Sequence, residues 1–222
     1  MFFFIFQSLN AQFAIGLKSM LLFYENDFTD EGQLIDRGFH AGEVKWEFFV
    51  ESRVIGNFYV ELGAMKKDYS LGFLSNREVD LGSGVYIYQS LSSFQMPLLA
   101  KYKYGIYKKL YIVPKLGTVF GFSQKQLKNP TAISERDKIV INIDLNNDYF
   151  KKHFNLLQAG IDFELKFKHS SIMAGFDYIK GFSPLMNAKL RYSFKDSEEW
   201  VNATLSGDGG YVLYSLAYKY NF

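Results

Sequence analysis

Three histidines, His40, His153 and His169, are the only imidazoles in the chain, and cysteine is absent. Disulfide frameworks, thiolate zinc sites, cysteine nucleophiles and iron–sulfur ligation are therefore excluded together. His40 and His153 fall near strand ends on one side, where a loop Ser or Asp beside them would suit a hydrolytic site. No nucleophile motif accompanies them, and solvated loop histidines are the better reading. Asp144, Asn146 and Asp148 repeat the opening of a calcium loop, but no Gly follows the third ligand and Asn155 stands where the acidic twelfth ligand belongs. Gly207-Asp208-Gly209-Gly210 has the glycines of a phosphate cradle but no helix after it, so it reads as a turn. No catalytic, cofactor-binding or metal-binding set emerges. The chemistry the sequence does carry is a series of charges, each placed opposite bulky apolar neighbours.

Those charges sit in eight segments of period-two alternation, the signature of strands with one apolar and one polar face. They run about Gln12 to Tyr24, Phe39 to Ser52, Asn57 to Lys67, within Val85 to Tyr104, Leu110 to Phe122, Phe154 to Phe167, Ser171 to Gly181, and Tyr211 to Phe222. In the second, Val44, Trp46, Phe48 and Val50 alternate with Glu43, Lys45, Glu47 and Glu51; in the sixth, Ile161, Phe163 and Leu165 alternate with Asp162 and Glu164. Pro114, within the fifth, is tolerable only at an edge or bulge. The connections alternate too. Long loops cover Glu25 to Gly38, Ser75 to Gly84, Ser123 to His153 and Phe182 to Gly210, while tight links lie near Arg53 to Gly56, Gly105 to Lys109 and Lys168 to Ser170. Sorting of loops by end is a property of outer-membrane barrels, with turns toward the periplasm and loops outward. The run Asn187 to Phe194 and the stretch Trp200 to Leu205 leave a ten-strand barrel as a minority alternative to eight.

Composition agrees with a folded chain. Of 222 residues, 48% are hydrophobic and 18% aromatic, with only 4 Pro, which excludes disordered and collagen-like classes. A formal charge of +2 gives no reason to expect a nucleic-acid partner. Mean hydropathy is −0.08 and no run of about 18 apolar residues occurs, which argues against a helical membrane protein and leaves a membrane barrel open. Met1 to Phe6 followed by Gln7 to Ala11 reads as a short or truncated export signal, residues 1–11, with the barrel domain over 12–222. The rival reading, a helical anchor over Met1 to Leu22, conflicts with the strand alternation that begins at Gln12.

Alternation alone does not say which face points outward. A soluble carrier barrel hides its bulky face, and a membrane barrel displays it. Segments of crossing length, aromatics near strand ends and the terminus all favour the membrane. Tyr214, Leu216, Tyr218, Tyr220 and Phe222 form an alternating bulky series that resembles the C-terminal signal read by the outer-membrane barrel assembly machinery. With bulky residues toward lipid, Glu43, Lys45, Glu47, Glu61, Lys101, Lys115, Asp162, Glu164, Asp177 and Lys219 point inward. Eight strands leave room only for side chains, so these charges are expected to fill and plug the lumen.

Several stretches resemble the outer membrane protein β-barrel domain family, the PorT-like porin family of Gram-negative envelopes. They are Tyr59-Val-Glu-Leu-Gly-Ala-Met-Lys-Lys67, Phe94-Gln-Met-Pro-Leu-Leu-Ala-Lys-Tyr-Lys-Tyr-Gly105, Leu110-Tyr-Ile-Val-Pro-Lys-Leu-Gly-Thr-Val-Phe-Gly-Phe122, Leu157-Gln-Ala-Gly-Ile-Asp-Phe-Glu-Leu165, Phe176-Asp-Tyr-Ile-Lys-Gly-Phe182 and the last strand. Gln95 and Val113 depart from the family's usual Glu and Gly. The resemblance implies location and architecture and carries no catalytic residues. The expectation is an all-β, antiparallel up-and-down transmembrane barrel without cofactors, structural, binding or secretion-accessory in role. Its partners would be outer-membrane lipid and lipopolysaccharide, the assembly machinery, and an extracellular or secretion-system protein met through long loops. The loop Glu25 to Gly38 offers five acids, Glu25, Asp27, Asp30, Glu31 and Asp36, to a cationic partner or divalent-bridged lipopolysaccharide. A small diffusion pore and a soluble lipid carrier are the alternatives.

Overall fold

The computed structural model describes residues 13–24, 27–31, 35–37, 40–75, 86–124, 131–134, 139–144, 151–194 and 199–222. Their strands are β1 (Phe13–Tyr24), β2 (Asp27–Asp30), β3 (Ile35–Arg37), β4 (His40–Ile55), β5 (Phe58–Ser75), β6 (Tyr86–Tyr102), β7 (Tyr104–Tyr107) and β8 (Leu110–Gln124). They continue as β9 (Thr131–Ser134), β10 (Ile139–Asp144), β11 (His153–Lys166), β12 (Ser170–Gly181), β13 (Met186–Phe194), β14 (Val201–Gly207) and β15 (Tyr211–Asn221). The proposed export segment lies outside the described residues.

Eight of these close into a barrel in the order β11-β12-β15-β1-β4-β5-β6-β8, with β8 returning to β11. Every pairing is antiparallel. The first and last strands meet along a continuous seam from Ala14 opposite Asn221 to Tyr24 opposite Tyr211. Closure removes sheet edges, and full pairing is what backbone groups require in a membrane interior. Ten strands are not used: β13 and β14 pair with each other in a separate five-stranded sheet, β2-β14-β13-β10-β9, built from the long loops. β5 continues beyond Lys67 to Ser75, where β3 adds to its outer end.

The two prolines inside barrel strands sit where ladders lapse, because proline has no N–H to donate. Pairing of β5 with β6 skips from Leu62 opposite Leu98 to Met65 opposite Gln95, around Pro97. Pairing of β8 with its preceding hairpin arm breaks between β6 and β7, beside Pro114, while the Lys103 N–H donates to the Asn57 carbonyl at 2.9 Å and carries the β5–β6 pairing one step further. The links at the other end are tight. Gly56, at φ +53°, supports the β4–β5 turn, and Arg53 Nε donates to its carbonyl at 2.6 Å.

Candidate functional site

Alternation of each strand sorts its residues between two surfaces of opposite character. Outward positions carry Ile15, Val44, Trp46, Phe48, Leu62, Leu116, Phe163 and Leu216, all substantially exposed. Tyr102, Tyr104, Phe58, Phe13, Tyr220 and Phe222 form an aromatic belt at the end that bears the tight turns. Among the described residues, the outward positions of the barrel strands are free of charge until the loop end, where Lys66, Asp68, His153 and Lys180 appear.

The inward face reverses this. Lys18 Nζ lies 2.7 Å from Glu47 Oε1 and 3.0 Å from Glu61 Oε1. The second oxygen of Glu61 receives Lys101 Nζ at 2.7 Å, and Lys101 also reaches Glu51 and Asp162, each at 3.2 Å. Lys115 joins Asp162 to Asp177, the latter at 2.8 Å, and Gln158 donates to Asp177 at 3.0 Å. Toward the turn end, Glu51 takes Lys103 and Lys219, each at 2.6 Å, and Glu164 takes both again at 3.0 Å. All eight barrel strands contribute at least one member. Five lysines face six carboxylates, one net negative charge over the lattice. Such ions tolerate burial because each has a partner of opposite charge and most have two or more; an isolated one would cost several kcal/mol to desolvate.

Above the lattice, toward the loops, lies an apolar layer of Met20, Leu22, Met65, Val119, Phe154, Leu156, Ile179, Leu185, Tyr211 and Leu213. Lys67 is buried within it, its ammonium 2.8 Å from the centroid of the Tyr211 ring, whose hydroxyl donates to Gln95 Oε1 at 3.3 Å. Glycines on the inward face make room for rings: a Cβ at Gly121 would overlap Phe154, and one at Gly16 would overlap Phe49.

Of the residues singled out from sequence, the structure brings Glu47, Glu61, Lys101, Lys115, Asp162, Glu164, Asp177 and Lys219 into one network. Glu43 and Lys45 do not join it. They form a separate pair at the mouth, with Asp68 3.0 Å from Lys45, and remain partly exposed. Lys18, Glu51 and Lys103 are absent from the expected inward set although each occupies the polar parity of its segment; applying that parity without exception finds them. Tyr214, Leu216, Tyr218 and Tyr220 point outward on β15, and Phe222, one residue past its end, is exposed as well. His40 and His153 open β4 and β11, which three strands separate in either direction round the barrel, so they do not converge. His169 stacks on Tyr220 in the β11–β12 turn. Asn146 and Asp148 lie outside the described residues, and Gly207 to Gly210 form the turn into β15, with Gly209 at φ +79°.

A soluble carrier needs an apolar cavity and a polar skin, and here both are inverted. No family model matches the sequence, and no curated protein does. Among solved structures, the outer membrane protein OprG from Pseudomonas aeruginosa superposes with a TM-score of 0.57 at 10% identity, covering 96% of each chain. This chain has the outer-membrane β-barrel fold. A major outer membrane protein from Thermus thermophilus gives a TM-score of 0.49 at 14% identity, over 96% of this chain and 100% of that one. Identities this low speak to architecture alone, and the fold assignment rests on OprG. Together with the uncharged outer band, that architecture makes the protein an integral outer-membrane barrel in contact with lipid and lipopolysaccharide.

Proposed function

We propose that this barrel is a closed-lumen protein of the PorT-like kind, acting without turnover in a structural, binding or secretion-accessory role through its loop end. One observation carries the reading: the side chains of Lys18, Lys101, Lys115 and Lys219 are 0–2% exposed. A water-filled passage beside them would wet their ammonium groups. A partner is therefore met at the loop end, where β2, β9, β10, β13 and β14 make a sheet of their own. Purified barrel inserted into a planar bilayer should give no sustained conductance steps; steps in the nanosiemens range from the unaltered chain would replace this reading with that of a diffusion pore.

Tyr214, Leu216, Tyr218, Tyr220 and Phe222 are proposed as the surface read by the assembly machinery. Their support is the bulky outward series on β15, the strand that closes against β1. Deletion of Phe222 should slow insertion by reconstituted assembly machinery several-fold while leaving unassisted folding into detergent near its original yield; equal loss in both would mark Phe222 as a packing residue.

A further inference from the structure

At the loop end of β11 and β12 the apolar band stops at a cavity of about 320 Å³ whose lining includes Lys151, His153, Asn155, Phe182, Ser183 and Asp208. His153 and Asn155 lie on the outward parity of β11, directly above Leu157, and the His153 ring meets the lipid-facing Phe122 edge-on at 5.4 Å. The cavity thus stands at the headgroup boundary of the outer leaflet. Its polar lining is donor-rich: an ammonium, an imidazole, a carboxamide and a hydroxyl, with Lys151 Nζ donating to Ser183 Oγ. The single carboxylate in that lining is already engaged. Asp208 Oδ1 accepts from the Gly210 N–H at 2.7 Å, and Oδ2 pairs with Lys180 Nζ at 2.7 Å. Phe182, 77% exposed, supplies an apolar lip beside the donors.

We propose that this cavity binds a phosphate group of a phosphorylated glycolipid in the outer leaflet, with Lys151 and His153 as the principal ligands and Phe182 against the first acyl carbons. Donors fixed around an anion suit a phosphate, whose oxygens accept charge-assisted hydrogen bonds. The adjoining aromatic surface distinguishes a lipid-borne phosphate from a free one. The proposal names a partner for the loop end described above and does not depend on the lumen being closed, so conductance and lipid binding succeed or fail separately.

Folded barrel in detergent micelles, titrated by native mass spectrometry with bisphosphorylated lipid A and with its dephosphorylated form, should bind the first at least tenfold more tightly. Lys151→Ala combined with His153→Ala should erase that preference, and Lys66→Ala, on the outward face of β5, should keep it. Altered gel mobility of unheated samples reports folding throughout. If the double variant loses that mobility, Lys151→Gln alone in the same titration decides, with at least a threefold loss expected. Equal binding of the two lipids, retention of the preference in a folded double variant, unchanged binding in Lys151→Gln, or an equal loss in Lys66→Ala would overturn the assignment. So would inorganic phosphate displacing the lipid completely, which would make the cavity a site for the free anion.

Discussion

Glu51 is the residue on which the lower lattice turns, since Lys101, Lys103 and Lys219 all converge on its carboxylate. Glu51→Gln leaves three buried ammonium groups sharing Glu61, Asp162 and Glu164, and should lower folding stability by about 3–5 kcal/mol. Glu43→Gln removes a carboxylate that is 40% exposed, and screening by solvent should hold its cost to about 1 kcal/mol or less. Urea titration of folding into lipid vesicles compares the two; a similar cost for both would mean that the lattice is wet. Inward placement of Asp162, Glu164 and Lys115 was legible because each lies between bulky neighbours two residues apart. Which carboxylate meets which lysine was not legible, since that depends on the stagger between strands distant in sequence. Glu43 and Lys45 share a parity with Glu47 but lie further along β4 toward the loops, opposite Leu22 and Met20, which puts them at the mouth.

Strand order and loop sorting could be read from periodicity because every barrel strand pairs with its neighbour in the meander. The second sheet could not: β2 meets β14 and β10 meets β13 across long stretches of chain, and no local pattern specifies such partners. The run Asn187 to Phe194 is a strand, as its alternation implies, but its period says nothing about which sheet it enters. At the turn end, local chemistry decides more. Gly56 holds φ +53° with nothing within 4 Å of the place a Cβ would take, so Gly56→Ala tests backbone conformation alone. It should destabilise the barrel by about 1–2 kcal/mol, the penalty of a left-handed conformation for an L side chain. Equilibrium unfolding in urea measures it, and an unchanged midpoint would show that the turn relaxes to another form.

Across the whole molecule, two features act together: an outer band without charge and an inner lattice to which every barrel strand contributes. The band faces acyl chains on all sides, and Trp46, 56% exposed on β4, reports its depth. During folding into vesicles of bromine-labelled lipid, quenching of Trp46 fluorescence should develop in the same kinetic phase as the shift in gel mobility. Quenching that is complete well before the mobility changes would mean that β4 crosses ahead of closure.

That coincidence follows from how the lattice is divided among the strands. A lone hairpin of β4 and β5 would carry Glu47, Glu51 and Glu61 into hydrocarbon with every countercation still on strands yet to arrive. Threading that begins with this hairpin is thereby disfavoured, and the expected passage is a concerted one in which the strands bearing Lys18, Lys101 and Lys219 enter with it.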